Sequence, residues 1–194
     1  MQDIDPTAWI APSAQLFGVI TIAADASVWH NAVMRAERND IRIGRMTNVQ
    51  DFVMVHADEQ SVVIGTFCSV AHHVTLHGCA IEDHSLIGIG ATLMDGVLIG
   101  RGSIVAGGAF VKEGTIVPPA SIVVGIPARV VRERDCAREN RLNAWRYQRN
   151  ADHARRGLYR AWDGPEYEAW LAAKRAEVER DADLRPEERL TARS

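Results

Sequence analysis

A chain of 194 residues, 47% apolar and with a formal charge of −3, predicts one domain with room for a short appendage. The near-neutral balance gives no reason to expect a nucleic acid or an anionic membrane as partner, and no apolar run approaches the ~20 residues of a membrane span. Met1-Gln2-Asp3-Ile4-Asp5 lacks the basic and apolar regions of a signal peptide, and Cys68, Cys79 and Cys136 form no CxxC. A cytoplasmic protein with buried thiols is therefore expected.

Apolar residues recur every six positions along most of the chain. Ile10, Leu16, Ile22, Val28 and Met34 open the series. Ile43, Val49, Val55 and then Ile64, Val70, Leu76 continue it. An unbroken run follows through Ile81, Ile87, Leu93, Ile99, Val105, Val111, Val117 and Val123. A hexapeptide period is the mark of a parallel β-helix, in which three six-residue units close one triangular coil. Each aliphatic residue points into the prism, and small residues relieve the corners. The fold expected is all-β: a left-handed parallel β-helix over 1–132.

The segment Val123-Val124-Gly125-Ile126-Pro127-Ala128-Arg129-Val130-Val131 resembles the closing segment of the hexapeptide-repeat superfamily, where the chain leaves the prism for a C-terminal helix. Residues 133–194 then form a charged helical extension, with 25 charged side chains among residues 135–194. One helix is predicted over 136–162, with Leu142, Trp145, Leu158 and Trp162 among its apolar positions, and a second over roughly 165–182. The final dozen residues are expected to be disordered.

Two steps in the series are nine residues long, Met34 to Ile43 and Val55 to Ile64, so three residues must bulge out at each. Counting three units from Val55 reaches Leu76 above and Met34 below. His56 and His77 should therefore stack in adjacent coils about 4.8 Å apart, with Arg35 beneath them. His72 falls on the preceding wall near a corner, where Asp51 stands one coil below. It meets the other two histidines only if a second prism packs alongside. A tetrahedral metal site with three imidazoles and one open position would then form between subunits. His73 should point away from His72, and His30, His84 and His153 read as ordinary surface or satisfied histidines.

The segment Ile41-Arg42-Ile43-Gly44, followed by Thr47-Asn48-Val49-Gln50-Asp51 and His56, resembles the γ-carbonic anhydrase family. So does His72-His73-Val74-Thr75-Leu76-His77-Gly78-Cys79, and the resemblance covers roughly residues 6–132. It implies a homotrimer binding zinc, or iron(II) or cobalt(II), through His56 and His77 of one subunit and His72 of the next. Its substrates would be carbon dioxide and bicarbonate. Arg35 and Asp51 would pair across the interface, while Gln50 and Asn48 would orient the attacking hydroxide and the substrate. The loops depart from the family pattern: Glu37 stands where aspartate is usual and Arg38 where a glutamate is found. Ala57-Asp58-Glu59-Gln60 is too short for the family's acidic excursion. Glu37, Glu59 and His73 are the candidates for proton transfer, and Tyr147, Tyr159 or His153 for a tyrosine-like position on the helix. Three alternatives stand beside this reading: a metal-dependent acyl-CoA thioesterase, a coenzyme-A-dependent acyltransferase and a catalytically silent assembly subunit.

Overall fold

The computed structural model describes residues 1–184. Strands run from Gln2 to Glu133, followed by helix α1 (Ala137–Ala154), helix α2 (Pro165–Arg180) and one tight turn at Ala182–Leu184. The charged tail from 185 onward, part of the segment expected to be disordered, lies outside the described residues.

The strands form a parallel β-helix with three walls, of the left-handed hexapeptide type the period predicts. Leu86–Ile87, for instance, pairs in parallel with Ser69–Val70 on one side and Ile104–Val105 on the other. Two-residue strands have no stability alone. Here each hydrogen-bonds to the coils above and below, and each inward aliphatic leaves water at about 25 cal/mol per Å². Val28, Val49, Val70, Ile87, Val105 and Val123 are the buried column of the first wall. The prism ends in an antiparallel hairpin, Ser121–Gly125 against Ala128–Glu133.

The departures from the six-residue period position the site. Strands Gln15–Ile22 and Val33–Ile43 bend without interruption from the second wall into the third. Gly18 pairs with Ala36 but Val19 pairs with Asp40, so Glu37, Arg38 and Asn39 bulge outward. In the next coil Ala57 pairs with Ala36 and Val62 with Ile41, which leaves residues 58–61 stacked above the first bulge. A third irregularity was not anticipated. Ile81 pairs with Ile64, so this coil is one residue short of eighteen, and it tightens at Gly78, whose φ is +50°.

Helix α1 lies along the first wall. Near its start Asn140 donates to the carbonyls of His84 and Ser103; beyond its end Arg155 reaches the carbonyl of Thr7 at 2.7 Å. The single helix predicted over 136–162 is broken. It stops at Ala154 because Gly157 takes a left-handed φ of +74°, and the amides of Gly157 and Leu158 close on the carbonyls of Ala154 and His153. Trp162 folds back instead, donating to the Arg146 carbonyl and packing edge-on against Tyr147. Pro165 opens α2 at a position where its missing N–H costs nothing. No described helix is long and apolar enough to cross a membrane.

Candidate metal centre

Arg35, His56 and His77 lie in register on the second wall. Met34, Val55 and Leu76 before them are fully buried in the prism, so strand alternation turns the next residue outward. Nδ1 of His56 and Nε2 of His77 stand 2.9 Å apart. The remaining nitrogen of each ring meets a carboxylate. Nδ1 of His77 is 2.9 Å from both oxygens of Asp95, and Nε2 of His56 is 3.0 Å from Glu37 Oε2. Arg35 donates to the other Glu37 oxygen at 2.7 Å. The hydrogen bond from His56, backed by the charge of Arg35, holds the Glu37 carboxyl below its ordinary range.

Asp95 escaped the sequence reading, although the signal was present. Leu93 stacks on Leu76, so carrying the column one coil further places Asp95 at the corner above Gly78. A Cβ on Gly78 would lie 2.1 Å from Asp95 Oδ1, so glycine is what lets the carboxylate reach the ring.

His72 stands at the corner between the first and second walls, its Nδ1 3.1 Å from Asp51 Oδ2. Each of the three histidines is thus tied to a different carboxylate. Gln50 and Asn48, both buried, share a hydrogen bond of 2.9 Å at the end of the first-wall strand that leads to Asp51. Tyr147 is the residue of α1 that faces this corner: burial pushes its phenol up to about 12, and the negative charge of Asp51 adds to the shift. Tyr159 is 67% exposed and His153 bonds the Arg149 carbonyl of its own helix.

Other expected residues are not brought to the histidine pair. Glu59 is exposed and among the described residues reaches only Arg38, at 3.9 Å. His73 adopts a φ of +60° and lies flat on Phe52, with ring centroids 5.0 Å apart. Arg35 and Asp51 sit on different parts of the prism and do not pair within the chain. Among the described residues, no group of three or more His, Cys, Asp or Glu side chains of one chain is placed to hold a metal ion. The three cysteines are buried and unpaired.

Residues of this chain align at 53% identity over 125 positions with a probable carbonic anhydrase of Methanocaldococcus jannaschii, covering 64% of this chain and 79% of that protein. The mitochondrial γ carbonic anhydrase 1 of Arabidopsis thaliana is 36% identical over 67% of this chain and 50% of its own length. The chain belongs to the γ-carbonic anhydrase family. Residues 78–113 of this chain match the bacterial transferase hexapeptide (six repeats) family. A solved hexapeptide transferase family protein from Anaplasma phagocytophilum superimposes with a TM-score of 0.71 at 31% identity, covering 80% of this chain and 92% of that one.

Proposed function

We propose that this protein is a carbonic anhydrase, converting carbon dioxide and water to bicarbonate and a proton at sites shared between the subunits of a homotrimer. One observation carries the reading. Two imidazole nitrogens of one chain converge, each ring anchored from behind by a carboxylate, while the third histidine, held the same way, stands on another edge of the prism.

The donor set suits a divalent metal. With Asp95 accepting a hydrogen bond from Nδ1–H of His77, Nε2 is left as a lone-pair donor, and carboxylates behind ligating histidines are the common supporting arrangement. The 2.9 Å gap between the two nitrogens is a little under the about 3.3 Å between two ligands of a tetrahedral ion, a difference that small ring rotations supply. Three imidazoles suit zinc, iron(II) or cobalt(II). His56 and His77 would hold the ion with His72 of the neighbouring subunit. When bound, the metal supplies the Lewis acidity that makes water a nucleophile near neutral pH.

The chain's own residues do the rest. Glu37, Asp51 and Asp95 fix the three ring orientations. Gln50 and Asn48 orient the reacting oxygen. Arg35 reaches Asp51 of the adjacent subunit and holds the two halves of the site together. Glu37 is the one proton-transfer candidate that touches the histidine pair; held below the ordinary carboxyl range, it stays a carboxylate that orients His56 and does not store the released proton near neutral pH.

The test compares metal content with rate for two variants. His77→Ala should lose metal and hydration activity together. Gln50→Ala should keep its metal and turn over more slowly. Activity of the native protein should rise with pH through neutrality. Full activity of the His77 variant without metal would overturn the reading. Coenzyme-A-dependent acyl transfer, favoured by the likeness to the transferase structure, would then move ahead. Thioester hydrolysis lost with the metal, in a protein that does not hydrate carbon dioxide, would point to the acyl-CoA thioesterase. A metal-free native protein with neither activity would be the assembly subunit.

A further inference from the structure

Helix α1 reaches the candidate site through a chain of amides. Asn143 Nδ2 donates to Ser69 Oγ at 2.9 Å. Asn48 Nδ2 donates to the same hydroxyl oxygen at 2.9 Å and to the Cys68 carbonyl at 3.2 Å. Gln50 Nε2 donates to Asn48 Oδ1 at 2.9 Å. Ser69, Asn48 and Gln50 are all buried, so water does not compete for these bonds.

The polarity of this chain is forced. A backbone carbonyl only accepts, so the end of Asn48 that faces Cys68 must be its nitrogen. Asn48 then turns its oxygen to Gln50, and that oxygen requires a donor. The nitrogen of Gln50 is committed inward, and Oε1 is the end left over. Among the described residues this oxygen has no hydrogen-bond partner within the chain. A flipped Gln50 would set two acceptor oxygens against each other in a buried place, at the full cost of two unsatisfied groups.

We propose that Ser69 and Asn143 are positioning residues that, together with the Cys68 carbonyl, hold the Asn48 amide and through it the Gln50 amide, so that an acceptor oxygen, and not an N–H, is presented at the site. The chemical consequence rests on the carbonic anhydrase reading. An acceptor there pairs with an oxygen that still carries a proton, the attacking water or the hydroxyl of bicarbonate, and not with carbon dioxide, which has no proton to give. The anchor comes from α1, outside the prism. Asn143 is one turn from Tyr147, so the two lie on the same face of the helix, over the wall that carries Asn48 and Gln50. The helix thereby becomes part of the site and not merely a cover for the first wall.

The experiment follows the side-chain amide protons of Gln50 by NMR in the full-length protein, beside rate and metal measurements. Ser69→Ala and Asn143→Ala should speed their exchange at least about tenfold while metal content is unchanged. Asn143→Asp should keep exchange near native, because the Ser69 hydroxyl can turn to donate to the carboxylate and still accept from Asn48. Both alanine variants should lower kcat about tenfold with the KM for carbon dioxide within about twofold. Native-like exchange in both alanine variants would overturn the lock. A native protein with slow Gln50 exchange, faster in the alanine variants, but without hydration activity would support the lock while removing the carbonic anhydrase reading.

Discussion

Asp95 holds Nδ1 of His77 at 2.9 Å through both carboxylate oxygens, in space that a Cβ at position 78 would fill. The pair sets which nitrogen of His77 would be left to bind the proposed metal. Asp95→Asn removes the charge behind the ring and should weaken metal binding by about ten- to a hundredfold, read by competition with a chelator. Gly78→Ala should do the same with a loss of thermal stability as well, since alanine would also have to adopt a φ of +50°. Native affinity in both variants would show that His77 is not a ligand.

Sites shared between subunits, as proposed, would make a mixing experiment decisive. His72 stands on a different edge from His56 and His77, so subunits carrying His72→Ala and subunits carrying His56→Ala fail in different halves. Each homotrimer should be inactive alone. Co-refolded in equal amounts, they should recover roughly one site in four. No recovery, in mixed trimers verified by mass, would rule out a site completed by a neighbour.

Among the described residues Arg35 bonds only Glu37, at a half-exposed position. If it also meets Asp51 of the next subunit, Arg35→Ala leaves a buried carboxylate without its partner at a cost of about 3 kcal/mol or more. Sedimentation should then show dissociation at concentrations where the native protein stays assembled. Unchanged assembly would place the pair outside the interface.

His84 should make docking of α1 sensitive to acid. It is buried at the far corner, stacked on Phe67, and among the described residues its Nδ1 has no hydrogen-bond partner. Burial, with the charges of Arg101 and Arg141 alongside, lowers it to about 4 from 6.5, against smaller opposing effects of Asp83 and Asp181. The unfolded chain therefore binds the proton first. Stability is intact above pH 6.5 and falls by about 3 kcal/mol as pH drops towards 4, where the loss levels off. His84→Asn, which tolerates the left-handed φ of +57°, should flatten this part of the melting curve against pH. An identical pH profile in the variant would mean that His84 binds its proton equally well in the folded and unfolded chain.

The period of six carried most of the fold and half of the candidate site. Because parallel coils stack residue upon residue, counting units from Val55 was enough to set Arg35, His56 and His77 in one column, as the register confirms. Counting was blind where the period fails. The seventeen-residue coil that closes at Gly78 passed unnoticed, and Asp95 with it. On the helix the apolar pattern ran on to Trp162, yet a glycine whose left-handed φ ends the turn, and a tryptophan that packs back on Tyr147, satisfy the same pattern without a helix.

What the sequence determined by itself was therefore the periodic part: inward aliphatics, the stacked column, and a third histidine stranded on another wall. Tertiary structure decided which carboxylate stands behind each imidazole, which tyrosine faces Asp51, and that Asn143 of α1 is bonded to Ser69. The reason is physical. Backbone hydrogen bonding repeats with the chain and can be counted along it, whereas side-chain contacts at corners and along a docked helix depend on loop paths and packing that have no period.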